Sequence, residues 1–139
     1  MIIEKRVIDL GLPSGTLWCA DNEDDFYFYH DAVDKYGEKL PSKEQWEELI
    51  KHCTWKWNST TRCYDITGTN GNSISLPANG YDIVNKTING EGISGYYWSS
   101  TPYRFDFAWY LGFISKTVYL NEGSRLLKQS VRLVINVKN

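Results

Sequence analysis

Apolar and polar positions alternate with a period of two from Tyr103 to Ile114. Tyr103, Phe105, Phe107, Trp109, Leu111 and Phe113 fall on one side, and Arg104, Asp106, Ala108, Tyr110, Gly112 and Ile114 fall on the other. That is the signature of a half-buried strand. The surrounding stretch, residues 95 to 133, holds ten of the chain's Trp, Tyr and Phe residues, of which the sequence has 6, 10 and 5. One buried face does not need so much aromatic surface, so part of it is expected to meet a partner.

Elsewhere the pattern changes period. Phe28, Ala32, Val33 and Tyr36 follow helical spacing, with Gly37 placed as the C-terminal cap. In residues 39 to 53, Ser42 and Gln45 have the spacing of a capping box, and Trp46, Leu49, Ile50 and Cys53 form an apolar stripe. That second helix is expected to lay its stripe on a sheet. Before the helices, residues 2 to 10 and 16 to 20 read as two short strands around a turn set by Gly11, Pro13 and Gly15.

After the helices come short β-rich runs. Asn70 and Gly71 predict a two-residue hairpin turn with positive φ at both positions. Residues 82 to 94 read as an irregular surface loop, Ser115 and Lys116 as a turn, and residues 121 to 124 as a second loop. Residues 130 to 137 are the expected final strand, with Val131, Leu133, Ile135 and Val137 on one face. No internal repeat or linker interrupts this order, so a single α+β domain over residues 1–139 is expected.

Length and composition narrow the function classes. A chain of 139 residues is about one domain long and buries roughly 68–70% of its unfolded surface, so neither a disulfide nor a metal is needed for stability. Fifteen basic and seventeen acidic residues, with a pI near 5.7, give no field to attract nucleic acid or an anionic membrane. The opening residues lack a signal-peptide core and no run reaches the length of a membrane span, so the expected location is cytoplasmic. Cys19, Cys53 and Cys63 match no zinc spacing and read as reduced structural thiols. The sequons at Asn58 and Asn85 matter only in a secretory pathway. Residues 21 to 25, DNEDD, lack the glycine and distal glutamate of an EF-hand; a solvated turn is expected, with Asp24 or Asp25 capping the next helix.

Three separated motifs point in one direction: DLGLPSGTLW near the start, LPSKEQWEELIKHCTW in the middle, and GYYWSSTPY with SVRLV at the end. In that order they resemble the Fibrobacter major paralogous domain family, abundant in gut bacteria. That family is similar to a branch of the C-type-lectin-like fold that also contains the formylglycine-generating, sulfatase-modifying proteins. Asp31, Ala32, Leu40, Pro41, Ser42 and Trp46 match the helix, turn and capped helix of those proteins.

The resemblance implies a C-type-lectin-like domain whose first and last strands pair, with two helices flanking small antiparallel sheets. In that family, and in related targets of diversity-generating retroelements, the segment after WSSTPY combines a constant scaffold with variable exposed positions. Carried over residue by residue, Ala108, Leu111, Phe113, Val118, Arg125, Ser130, Val131 and Arg132 are scaffold. The displayed surface is then Arg104, Phe105, Asp106, Phe107, Trp109, Tyr110, Gly112, Asn121 and Glu122, and the candidate ligand-binding residues are these without Gly112 and with Tyr103. Tyr96, Tyr97 and Trp98 belong to the scaffold motif and are expected in the core. The display of Phe105, Phe107 and Trp109 conflicts with the alternation that puts them beside Leu111, and a bulge between Phe107 and Leu111 reconciles the two. The chain departs from the family in a shorter segment before the LPS helix and in Lys128 and Gln129, where glycine and an aromatic are usual. Trp109, Lys116 and Glu122 are not reachable from asparagine-type codons by the retroelement's adenine mutagenesis, which implies a fixed surface.

The chemistry of the residues favours binding over catalysis. Formylglycine generation needs a cysteine pair in the C-terminal part, and no cysteine follows Cys63. Nothing in the spacing unites Cys19 with His30 or His52. Asp106 and Glu122 are conceivable paired carboxylates, but a glycosidase also needs a deep cleft. The calcium-binding Glu-Pro-Asn or Gln-Pro-Asp loops of sugar-binding relatives are absent, so no cofactor or metal is expected. Tyr and Trp faces with Arg104, Asp106 and Asn121 suit a protein or glycan partner. The expectation is a non-catalytic binding module. The alternative is a decoration or fibre protein of a larger assembly such as a gut bacteriophage virion, with homo-oligomerisation possible.

Overall fold

The computed structural model describes residues 6–83 and 88–136. Two helices flank three small three-stranded antiparallel sheets and a two-stranded ribbon. The first sheet has β1 (Val7–Asp9) and β11 (Val134–Ile135) on either side of β2 (Leu17–Cys19). The first and last strands therefore share a sheet without pairing to each other, contrary to expectation. Ile2 and Ile3, Asn85, and Val137 lie outside the described residues.

Helix α1 (Tyr29–Tyr36) starts at Phe28 with no side-chain cap, so neither Asp24 nor Asp25 has the predicted role; it ends at Gly37, whose φ is 52°. Helix α2 (Lys43–His52) carries the predicted capping box: the Gln45 N–H donates to Ser42 Oγ at 3.1 Å, and the Ser42 N–H donates to Gln45 Oε1 at 2.9 Å. Two orphan donors of the first turn are thereby satisfied. Its stripe is buried as expected, with Trp46 and Leu49 fully enclosed and Ile50 and Cys53 packed at the margin. Burying each large apolar side chain stabilises the fold by about 1.5–3 kcal/mol.

The second sheet is the meander β3 (Thr54–Asn58), β4 (Cys63–Thr67) and β5 (Ser73–Pro77). The β4–β5 turn is longer than predicted. Gly68 N–H donates to Asn72 O, Gly71 N–H donates to Gly68 O, and of Asn70 and Gly71 only Gly71 has a positive φ, 89°. This is a three-residue loop whose left-handed residue is glycine. Within residues 82 to 94, where a loop was expected, the described residues include strand: β6 (Tyr81–Asp82) pairs with β7 (Ile88–Asn89).

The third sheet, in the order β10–β9–β8, is built from β8 (Ser94–Tyr103), β9 (Phe107–Ile114) and β10 (Thr117–Ser124). Ser115 and Lys116 make the predicted turn, Ser115 at φ 45°. Residues 121 to 124 are strand, not loop, because they pair with Tyr110 through Phe107. The final strand is also shorter than predicted: Val131 through Val134 are all buried, so strict alternation does not hold there.

This third sheet has apolar contacts on both faces. Tyr97, Leu111 and Phe113 pack with Trp18, Trp46, Tyr64 and the inner faces of β4 and β5. Trp98 and Ala108 pack on the other side with Tyr29, Ala32, Leu40, Val131 and Leu133. Arg132, 1% exposed, ties the elements together by donating to Asn22 Oδ1 (2.8 Å), Cys19 O (3.1 Å) and Ser75 O (2.6 Å). Burial lowers its pKa from the ordinary value, an effect opposed by the neighbouring Tyr97. The acidic turn before α1 is thus partly structural: Asn22 also donates to Tyr97 Oη at 3.0 Å, and Glu23 accepts from the Tyr36 hydroxyl at 2.9 Å.

Candidate functional site: an aromatic hairpin tip and a tyrosine face

The β8–β9 hairpin ends in a turn at 104 to 106, with Arg104 at φ 51°. Phe105 stands at its apex, 94% exposed, beside Phe107 at 44%. The turn is held from the side by Arg125. Its Nε donates to Phe107 O at 2.9 Å, its Nη2 donates to Arg104 O at 3.0 Å, and its backbone N–H donates to Asp106 O at 2.8 Å. The same guanidinium lies 4.7 Å from the centre of the Tyr29 ring. Leu126, next in sequence, is 74% exposed. The tip therefore presents Phe105, Phe107 and Leu126 on backbone fixed by a cation, with Asp106 and Arg104 beside them.

Behind the tip, Tyr103 and Trp109 meet edge to face at 5.6 Å, and Lys43 Nζ sits 4.2 Å from the centre of the Trp109 ring. A cation over an indole contributes about 0.5–2 kcal/mol depending on desolvation. This contact joins the start of α2 to the aromatic face. Glu122 pairs with Trp109 across the strands.

The bulge lies elsewhere than predicted. Trp98 pairs with Tyr110 and Pro102 with Ala108, so Ser99 to Thr101 of β8 stand opposite Trp109 alone, and the two extra residues belong to β8, not β9. Ser99 fills the irregularity, its hydroxyl donating to Trp109 O at 2.6 Å. The alternation along β9 is intact. Phe107 and Trp109 do share a face with Leu111 and Phe113; they are accessible because on that face the hairpin runs past the cluster around Leu111 and Phe113, while Ala108 on the other face stays buried.

The same alternation divides the predicted surface. Tyr110 and Asn121, paired across β9 and β10, belong to the opposite face from Trp109 and Glu122. Tyr110 is half-buried at the margin of the core around Trp98, and Gly112 is buried, so neither is simply displayed. Around Tyr110 the fold gathers tyrosines that sequence reasoning missed. Tyr81 meets Tyr96 at 5.1 Å, Tyr96 meets Tyr110 at 5.8 Å, and Tyr110 meets Tyr119 at 6.1 Å between ring centres. Tyr96, expected in the core, is half-buried in this row, whereas Tyr97 and Trp98 are enclosed as expected. Two glycines make the room: a Cβ at Gly112 would come 2.6 Å from Tyr119 Cζ, and one at Gly123 would come 2.7 Å from Tyr110 Cε1. Isolated glycines within a strand pattern were the available signal.

Residues 43–134 match a family model described as a domain of unknown function, DUF8237. The chain belongs to this family. The matched segment begins at the first residue of α2 and contains both the hairpin tip and the tyrosine face, whereas Tyr29, against which Arg125 packs, lies before it. No curated protein matches the chain, and no solved structure does.

The electrostatics of the two surfaces differ. Burial raises the Tyr119 phenol well above its ordinary pKa, helped by the neighbouring Tyr110 and Tyr96; burial likewise raises Tyr110. The tip instead carries the fixed charges of Arg104, Asp106 and Arg125. Asp106 sits in the turn while Glu122 lies within β10 opposite Trp109. The two histidines are on separate helices, His30 in α1 and His52 at the end of α2. Among the described residues no group of three or more His, Cys, Asp or Glu could hold a metal, and no helix is long and apolar enough to cross a membrane. A polar cleft of about 390 Å³ lies between α2 and the N-terminal turn, where Glu48 accepts from both the N–H and the hydroxyl of Ser14.

Proposed function

We propose that this protein is a non-catalytic binding module on a C-type-lectin-like scaffold, and that it engages a protein partner through the β8–β9 hairpin tip. The observation that carries the reading is Phe105, 94% exposed on a turn whose carbonyls are bound by Arg125. Fully exposing a phenylalanine forgoes about 1.5–3 kcal/mol of burial. Holding it on a fixed turn lowers the ordering cost of association, which is the way a protein interface acquires an anchor. The C-type-lectin-like reading is supported by two helices flanking small antiparallel sheets and by the first and last strands sharing β2.

Probing an array of peptides and folded proteins with the purified domain, with and without calcium, tests the reading. Bound partners are expected to be lost on Phe105→Asp or Phe107→Ala. Thermal unfolding of Phe105→Asp should stay within about 0.5 kcal/mol of the parent, as for other surface changes. Undiminished binding by Phe105→Asp overturns the assignment of the tip.

A further inference from the structure

The two outer strands of the third sheet end it differently. Along β8 the outward backbone groups are taken: Trp98 N–H donates to Ser130 O at 3.1 Å, Ser130 N–H donates to Tyr96 O at 2.9 Å, and Gly80 N–H donates to Ser94 O at 2.7 Å. β10 is the opposite edge. Ile114 and Thr117 flank the Ser115–Lys116 turn, and a hairpin turn of two residues closes on a hydrogen-bonded pair. Thr117, Tyr119 and Asn121 therefore bond to β9, while Val118, Leu120 and Glu122 aim their N–H and C=O groups away from it. The Glu122 N–H donates to Asn121 Oδ1 at 2.9 Å, in agreement with that phase. Among the described residues, no backbone group outside β9 bonds to Val118 or Leu120. Natural sheet edges are blunted by a proline, a lysine, a bulge or a covering segment. β10 runs for eight residues in regular register with no proline, lysine or bulge.

From this edge we infer a homodimer in which β10 pairs antiparallel with β10 of a second copy about a two-fold axis, joining two three-stranded sheets into one. Outward residues face only outward residues across such a pair, so the axis must fall on a residue, and the side chains select which. With the axis at Tyr119, Val118 exchanges both backbone hydrogen bonds with Leu120 of the second copy, and Leu120 with its Val118. Thr117 then faces Asn121, and Lys116, exposed beside the turn, faces Glu122 at each end. Among the described residues neither Lys116 nor Glu122 has an ion-pair partner in its own chain. An axis at Leu120 sets Val118 against Glu122, and an axis at Val118 sets Lys116 against Leu120; either places a charge on an apolar side chain. Val118 and Leu120 lie with Trp55 and Trp57 at the partly buried margin of the main core. Their counterparts in the second copy extend that margin across the axis, so pairing covers apolar surface and satisfies the open edge together. The hairpin tip lies beyond the Ser124 end of β10, so the two tips point to opposite ends of the joined sheet and stay free.

The test uses the full chain. Sedimentation equilibrium between about 1 μM and about 1 mM should show monomer and dimer in exchange. Hydrogen exchange at the Val118 and Leu120 amides should slow at least about 10-fold as the dimer forms. Lys116→Glu and Glu122→Lys each set like charges face to face at both ends and should weaken the dimer about 10-fold, with the circular dichroism spectrum unchanged. The double variant restores opposite charges and should return the affinity to within about 3-fold of the unmodified protein, a rescue that a merely structural role for either residue does not produce. Phe105→Asp should leave the dimer unaltered, so failure of the tip as an anchor and failure of this edge are separate results. The inference is overturned if the chain stays monomeric at about 1 mM, if the double variant does not rescue the single ones, or if a dimer forms without protecting the Val118 and Leu120 amides.

Discussion

Replacing Arg125 by alanine isolates the contribution of the clamp to the hairpin tip. The side chain makes two hydrogen bonds to turn carbonyls, at 2.9 and 3.0 Å, and a cation–π contact at 4.7 Å to Tyr29. Hydrogen bonds from a charged donor contribute about 1.5–3 kcal/mol each when buried; Arg125 is only half-buried, and about 0.5–1 kcal/mol each is the appropriate discount. The ring contact adds about 0.5–1 kcal/mol. The sum is about 2 kcal/mol, and it acts on the turn more than on the core, because the hairpin extends beyond Leu111 and Phe113. Amide exchange at residues 103 to 107 should therefore rise about 30-fold in Arg125→Ala. Exchange at the enclosed Tyr97 and Trp98 should change much less. Arg125→Lys, which keeps the charge but cannot donate to both carbonyls in one plane, should fall between the two. Uniform acceleration across the whole sheet would refute a local clamp, and no acceleration at the tip would mean that the turn is fixed by its own backbone.

Three further outcomes follow from the packing. Gly68→Ala puts a Cβ 2.0 Å from Leu10 O and 2.8 Å from Leu10 C, backbone that cannot retract, so it should lose about 1–3 kcal/mol in urea unfolding; a neutral result would show that the turn of residues 68–72 shifts freely. Arg132→Ala removes three buried hydrogen bonds and should destabilise by about 3–5 kcal/mol, with Arg132→Met recovering part of it; a loss under about 1 kcal/mol would sink the view of Arg132 as the tie between the first strands, β5 and the C-terminal segment. Burial raises the pKa of Tyr97 and Tyr64 above the ordinary 10.0. The unfolded chain then gives up its phenolic protons first, so stability is intact below about pH 10 and falls as pH rises beyond it. Tyrosinate absorbance from these residues should appear together with loss of the circular dichroism signal, and their ionisation in a chain that keeps its native spectrum would contradict the assignment.

Local features were the most legible in the sequence. The capping box at Ser42 and Gln45, the glycine stop at Gly37 and the Ser115–Lys116 turn depend on a few neighbouring residues, whose preferences act within one turn of chain. For Phe105 and Phe107 the sequence left two readings in conflict, burial beside Leu111 or display through a bulge, and both side chains are exposed. A bulge was expected in β9 and occurs in β8, and the accessibility comes from how far the hairpin overhangs the core. The loop expected at Asn121 and Glu122 became strand because Tyr110 and Trp109 supply partners there, and an asparagine–glutamate–glycine run does not reveal that partner. That Tyr96 and Tyr119 come together was not legible, because they are 23 residues apart in the sequence and adjacent only after both pair with Gly112.

Spacing and alternation along the chain were enough to show an α+β composition rich in aromatic residues, with two helices and short strands whose faces alternate. Alternation settles which residues share a face, since successive side chains of a strand point to opposite sides. It does not settle what covers each face, because that depends on which strands lie alongside and where the sheet outruns its core. The tertiary structure decided those matters. It set Phe105 on a clamped overhang, divided Trp109 from Tyr110, and gathered four tyrosines over two glycines.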